Sequence, residues 1–232
     1  MKEDKRLVAD GIEFNYRDHP VLRGAYLRLE RGTICGLVGR NGCGKSTLMK
    51  VIAGELRQGS GIVMISQERF AESRRRERYA HLAFLPQDFM TPGRMRVQRL
   101  LALLPESVRH IASDPLIEKI LETRIDRIST GEHRYLEAMI VLNLDREYIL
   151  LDEPFTGLSP IMIEHLSSHI RNLAEQGTGI LLSDHYTHYV LPLIDRCWIM
   201  QNGQCQELSE DEPFGKQLEQ LGYVISGGKV SR

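Results

Sequence analysis

The stretch Gly39-Arg40-Asn41-Gly42-Cys43-Gly44-Lys45-Ser46-Thr47 constrains this chain more than any other. It is a complete G-x-x-x-x-G-K-[ST] phosphate loop. An apolar run from Thr33 to Val38 reads as a strand before it, and Ser46 to Ala53 reads as a helix after it. Glycines tolerate positive φ, so successive N–H groups can turn inward and form an anion nest at a helix N-terminus. Lys45 adds a charge that reaches β- and γ-phosphates, and the Ser46 hydroxyl is placed to ligate Mg²⁺. A strand–loop–helix of this kind commits the chain to an α/β fold and to a nucleotide.

The rest of the composition sets the frame for that loop. A chain of 232 residues suits one α/β domain with room for subdomains. Its net charge of −1 argues against a dedicated nucleic-acid binder, which usually carries a basic imbalance. No apolar run reaches the roughly 18 residues that span a bilayer, and the charged start Met1-Lys2-Glu3-Asp4-Lys5-Arg6 has no signal-peptide core. The expected location is therefore cytoplasmic. Cys35, Cys43, Cys197 and Cys205 lack C-x-x-C spacing and read as free thiols, not as a zinc site. Cys43 sits inside the phosphate loop, either as a small residue filling a loop position or as a point where oxidation blocks nucleotide.

Along the chain, Leu7–Phe14 and Ala25–Glu30 have strand composition, with His19-Pro20 as the turn between them. Tyr16 follows the first strand; a lone tyrosine there is more often half-buried packing, with stacking on an adenine ring as the other reading. Ile62–Ile65 is a further strand. The basic run Ser73-Arg74-Arg75-Arg76-Glu77-Arg78 reads as a solvated helix face or a contact for an acidic partner. Leu82–Leu85 is a buried strand stopped by Pro86, which leaves Gln87 at the edge where ligand groups gather in parallel sheets. From about 91 to 144 the pattern is helical: Val97, Leu100, Leu101 and Leu104 share a face, and Ile117, Ile120 and Leu121 repeat it. Ser129-Thr130-Gly131-Glu132 is a capping box opening a helix to about Asn143.

Tyr148 to Pro154 is an apolar strand ending in Asp152 and Glu153. Strand alternation sends the two carboxylates to opposite faces, which suits one metal-linked acid and one general base. Met162, Leu166, Ile170 and Leu173 line a helix that Gly177 ends. Gly179–Ser183 is a strand with His185 just beyond it, and Asn202-Gly203 marks a tight hairpin. Alternating strands and helices around the loop give a mostly parallel sheet. The tail from Gly227 to Arg232 reads as frayed.

From about Leu7 to Leu208 this ordered set resembles the ATP-binding cassette (ABC) ATPases, specifically the nucleotide-binding subunits of ABC transporters. Tyr16 matches the adenine-stacking aromatic, Gly39–Thr47 the phosphate loop, and Gln87 the glutamine loop. Ser129-Thr130-Gly131-Glu132 stands where the family has its Ser-Gly-Gly-Gln signature; Leu150–Pro154 matches the carboxylate strand and His185 the switch histidine. Within the family, Asp152–Leu158 and Ser183-Asp184-His185 are similar to the ATPases of lipopolysaccharide export and branched-chain amino-acid uptake.

The resemblance implies a P-loop NTPase core with an antiparallel β subdomain and a small helical subdomain at about 91–144, all in one ABC ATPase domain covering 1–232. It implies ATP and Mg²⁺ as ligands. Gly39, Arg40, Asn41, Gly42, Cys43, Gly44, Lys45, Ser46 and Thr47 would surround the phosphates, with Ser46, Gln87 and Asp152 at the metal. Glu153 would polarise the attacking water and His185 would contact the γ-phosphate. Ser129, Thr130, Gly131 and Glu132 would act in trans, on ATP bound by the second subunit of a homodimer. Separate integral membrane subunits would be the partners, which places the chain on the inner face of the cell membrane. Thr130 and Glu132 depart from the usual glycine and glutamine; Glu132 is read as capping its own helix in preference to facing phosphate. A soluble ABC ATPase acting on ribosomes or nucleic acid is the alternative, disfavoured by the lack of a second cassette or long coiled-coil insertion. A P-loop kinase fits the Asp152-Glu153 pair and the signature-like helix less well.

Overall fold

A computed structural model describes residues 5–223. Two sheets form. Strands β1 (Arg6–Tyr16), β2 (His19–Glu30), β4 (Ser60–Ile65) and β5 (Glu68–Phe70) make an antiparallel sheet in the order β2-β1-β4-β5. The second sheet runs β10-β9-β3-β8-β7-β6, from β3 (Ile34–Gly39), β6 (Leu82–Leu85), β7 (Tyr148–Asp152), β8 (Gly179–Ser183), β9 (Arg196–Gln201) and β10 (Gln204–Glu207). Its five strands other than β10 are parallel, so β3, β6, β7 and β8 end at one edge. The α/β class, the mostly parallel sheet and the antiparallel layer agree with the expectation.

The phosphate-loop helix, Lys45–Ala53, is buried on nearly every side between the two sheets. Leu48, Met49, Val51 and Ile52 pack there with Leu7, Leu27 and Leu29 from the antiparallel sheet and with Leu82, Leu150, Leu181 and Met200 from the parallel one. The opposite face of the parallel sheet, including Ile149, Leu151, Ile180 and Leu182, packs on the helices Thr130–Leu142 and Pro160–Glu175. Strand β7 therefore alternates between two apolar cores. Each of its residues is buried, which is why it reads as a continuous apolar run.

Several local readings change. The turn between β1 and β2 falls at Arg17 and Asp18, with Arg17 at φ 52°, while His19 and Pro20 already pair with Tyr16 and Asn15. Pro20 is tolerated because β2 lies at the edge of its sheet. The helical region is broken up: a helix at Val97–Leu103, then single turns at Glu106–Arg109 and Pro115–Glu118. Asp114 caps the last of these, and Ile120 and Leu121 lie beyond it. The basic run is not a solvated face throughout. It forms a 3₁₀ segment, Glu72–Ala80, in which Arg74 pairs with Glu68 and Glu77, while Arg78 is fully buried. Asn202 and Gly203 both take positive φ, 50° and 78°, as the two-residue hairpin joining β9 to β10 requires. All four cysteines are free thiols. The tail, 227–232, lies outside the described residues.

Candidate active site

The phosphate loop leaves the end of β3 and enters its helix through Gly44, whose φ of 113° makes it a left-handed N-cap. A Cβ there would lie 2.8 Å from the Met200 methyl, so the position needs glycine for both its backbone and its space. Gly39 is equally enclosed: a Cβ would sit 2.6 Å from Cys43 Sγ. Cys43 thus packs inward and fills the loop from beneath. The Lys45 ammonium donates to the carbonyls of Gly39 (2.8 Å) and Arg40 (3.2 Å) and is almost fully buried. Those neutral acceptors hold it over the nest, free to exchange them for phosphate oxygens.

A cleft of about 470 Å³ opens over this loop. Tyr16, Asn41, Gly42, Gly44, Lys45, Ser46, Thr47, Gln87, Glu153 and His185, separated by up to 169 positions in sequence, all line it. Tyr16 stands half-exposed at its mouth with its ring edge against Phe14 at 4.7 Å. Val21, which the sequence reading left out, lines the same mouth. The Arg40 side chain does not line this cleft; it borders an adjacent groove with Arg23 and Tyr223.

Glu153 is where three loops converge. Its carboxylate meets His185 Nε2 at 2.5 Å and accepts from Gln87 Nε2 at 3.1 Å and from Thr156 Oγ1 at 3.4 Å. Its backbone is left-handed, φ 53°, a costly conformation for a non-glycine residue that persists only when its surroundings over-determine it. Here they do. Glu153 N donates to Ser183 O at 2.7 Å, and Arg134 donates to Glu153 O. Asp184 holds the next turn by accepting from Phe155 N (2.8 Å) and Tyr186 N (3.0 Å). Arg134 and Asp184 were not assigned roles from sequence; the partners of Arg134 are main-chain atoms of distant loops, and Asp184 joins its own loop at Tyr186 N to the distant Phe155 N.

Asp152 lies on the face of β7 shared with the phosphate-loop helix, one side chain out of phase with Leu151. It is hydrogen-bonded to Ser46, and burial pushes its pKa up. Its Oδ2 is buried with no hydrogen-bond partner. A hydroxyl and a carboxylate oxygen left over beside a phosphate nest are the donors a hard divalent cation with retained waters accepts, so Mg²⁺ fits here. Burial also raises the pKa of Asp184, against the lowering effect of its two backbone donors. Both acids hold protons more tightly folded than unfolded. Their contribution to stability is therefore complete below the unfolded value of about 3.9 and is lost as pH rises through the higher folded values. Replacing Asp152 by Asn removes one such ionisation. It is expected to raise the melting temperature of the nucleotide-free chain at pH 7 by about 2–4 °C, roughly 1 kcal/mol; a lower melting temperature than wild type would contradict it.

The segment Ser129–Glu132 is elsewhere. Ser129 caps the helix Thr130–Leu142 by accepting from Glu132 N, while the Glu132 carboxylate accepts from Ser129 N and Oγ, each at 2.8 Å. Glu132 is thus engaged in its own helix cap, as read from sequence. None of the four residues lines the cleft, and Ser129 and Thr130 are exposed. Gly131 faces inward, where a Cβ would lie 2.4 Å from Gly157 O.

A phosphate loop, a buried acid beside its serine, a second acid at the strand end and a histidine just past the end of the neighbouring strand define a P-loop nucleoside triphosphatase. The profile of the ABC transporter family matches residues 22–156. An uncharacterized ABC transporter ATP-binding protein of Rhizobium meliloti (strain 1021) is 31% identical, over 87% of this chain and 79% of that protein. The lipopolysaccharide export system ATP-binding protein LptB of Acidithiobacillus ferridurans is 29% identical, over 91% and 95%. Among solved structures, a nucleotide-free ATP-binding cassette from an ABC transporter superposes with a TM-score of 0.79 at 23% identity, over 92% and 94% of the two chains. The chain belongs to the ABC transporter family, as an ATP-binding subunit with ATPase activity. No helix among the described residues is long and apolar enough to cross a membrane.

Proposed function

We propose that two copies of this chain close head to tail on two ATP molecules and that this closure drives separate membrane subunits. The observation that carries the reading is the separation of the two half-sites. The cleft gathers Tyr16, the phosphate loop, Gln87, Glu153 and His185, while the exposed helix N-terminus at Ser129 and Thr130 does not line it. A helix N-terminus is an anion site, and only a second copy can bring a γ-phosphate to this one.

In this reading Tyr16 and Val21 cover the base, and Lys45 and the loop amides hold the β- and γ-phosphates. Ser46, Gln87 and Asp152 would hold Mg²⁺, directly or through water, and the bound cation would supply positive charge to the phosphates. Glu153 takes the proton of the attacking water, and His185 contacts the γ-phosphate. In the structure His185 and Gln87 instead rest on Glu153, so nucleotide arrival must redirect both. The coupling surface is the stretch from Gln87 into the helical region. Phe89 and Met90 are exposed there, yet the loop is clamped to the signature helix: Glu137 accepts from Met90 N (2.7 Å) and Thr91 N (2.8 Å), and the Phe89 ring stacks on His133. A membrane subunit docked on that loop would feel any movement of the signature helix, which supports a cytoplasmic chain held peripherally at the inner face of the membrane.

Gly131 is a poor place to test the trans contact, because its Cβ would collide with Gly157 within the same chain. Thr130, at the exposed surface, is a better one. Thr130→Trp is expected to abolish the ATP-dependent dimer seen by sizing chromatography and most turnover, while ATP affinity of the monomer stays within about threefold. Full turnover in this variant, or loss of ATP binding by the monomer, would remove the trans assignment.

A further inference from the structure

Arg134 lies in the second turn of the signature helix, 3% exposed, and its donors go to backbone carbonyls. Nη1 donates to Pro86 O at 2.6 Å; Nε and Nη2 donate to Glu153 O at 3.1 and 3.0 Å, and Nη2 also reaches Asp152 O. Burial pushes its pKa down, an effect opposed by Glu137, Asp152, Asp184 and Glu153 around it. Those carboxylates compensate the charge at a distance while the fork itself ties two strand ends together.

The position of those ends matters to the chemistry. Pro86 is the residue before Gln87, whose amide donates to the Glu153 carboxylate. Glu153 O belongs to the residue held at φ 53°. One guanidinium therefore sets both the carboxylate and the amide that touches it, from a helix whose N-terminus is Ser129. We propose that Arg134 is a positioning residue for ATP hydrolysis: it aligns Glu153 and Gln87 with each other and passes displacement of the signature helix to both. It touches no substrate. Lysine, a point charge on a flexible stem, cannot span the three carbonyls, so even the charge-conserving change is not conservative here.

The inference rests on Glu153 being the base, and a double-mutant cycle separates the two claims. Turnover is measured by steady-state and single-turnover hydrolysis of radiolabelled ATP, and binding stoichiometry with a fluorescent ATP analogue. R134K is expected to lower kcat by about tenfold or more and R134M by about a hundredfold, the scale of a misplaced catalytic group. KM and the number of ATP sites per chain should stay within about threefold. In an E153Q background R134M should change the residual rate by less than about threefold, since the group it positions is already gone. Turnover lost only in proportion to lost ATP sites would reduce Arg134 to a structural role, and so would an undiminished R134M effect in E153Q. Should R134M fail to fold, R134K in both backgrounds completes the cycle. Normal turnover by E153Q alone would instead remove Glu153 as the base.

Discussion

Replacing Glu153 by glutamine is expected to lower ATP turnover by about 10²–10⁴-fold, the usual contribution of a positioned general base. The change keeps the shape of the side chain and removes only its capacity to take a proton. Glutamine retains an oxygen to accept from Gln87 Nε2, and the left-handed backbone remains held through Ser183 O and Arg134. Lys45, Ser46 and the loop amides, which bear on the phosphates, are untouched. ATP should therefore bind with near-normal affinity and, unhydrolysed, hold two chains together. The measurement is phosphate release alongside sizing chromatography with and without ATP and Mg²⁺. Turnover close to wild type would sink the assignment of Glu153; normal ATP binding without a dimer would sink the closed-dimer reading and leave the base intact.

Arg78→Met is expected to produce the largest loss of stability outside the site, about 3 kcal/mol. Arg78 is fully buried, and its guanidinium donates to Val51 O (2.8 Å) and Ile52 O (3.4 Å) in the last turn of the phosphate-loop helix. It also reaches Gln58 Oε1 and Phe70 O, both at 3.4 Å. Carbonyls at a helix C-terminus have no partner within the helix, and a cation there is favoured by the helix dipole. Methionine fills similar volume but takes the donor away from Ile52 O, Phe70 O and Gln58 Oε1 in the core, while Val51 O keeps only its bond from Gly54 N (3.0 Å). For a chain of this length the loss corresponds to a fall of roughly 6–12 °C in melting temperature. ATP should still stabilise the variant, because the phosphate loop lies at the other end of the helix. A melting temperature within about 2 °C of wild type would show that the four acceptors find other donors.

Arg78 and Arg134 also mark where reading the sequence stops. Both stand in polar-looking surroundings: Arg78 in a run of arginines, Arg134 between a histidine and a tyrosine. On each, three main-chain carbonyls from two distant segments converge, an arrangement with no trace in local spacing. The capping box at Ser129–Glu132 was legible because its donors and acceptors lie within four residues of each other. So was the hairpin at Asn202-Gly203, where the φ requirement selects the residue types. The turn at Arg17 and Asp18 was misplaced because proline at 20 suggested a break, and only the pairing of β1 with β2 shows that the strand has already begun. The basic run is a largely solvated face, as read, with Ser73, Arg74, Arg76 and Glu77 exposed; only Arg78 departs from it.

By itself the chain's sequence determined the phosphate loop, the apolar strands that lead to it, the acid pair, the signature cap and the order of all of them. These depend on residue type and short spacing, which act before anything else has folded. Tertiary structure alone decided that Gln87, Glu153 and His185 meet over the loop, since that follows from parallel strands ending at one sheet edge. It also put the signature helix on the opposite face of the sheet from the phosphate-loop helix, so that Ser129–Glu132 do not line the cleft of their own chain. The nest from Gly39 to Thr47 is shaped by local geometry; what surrounds it was settled by long-range packing.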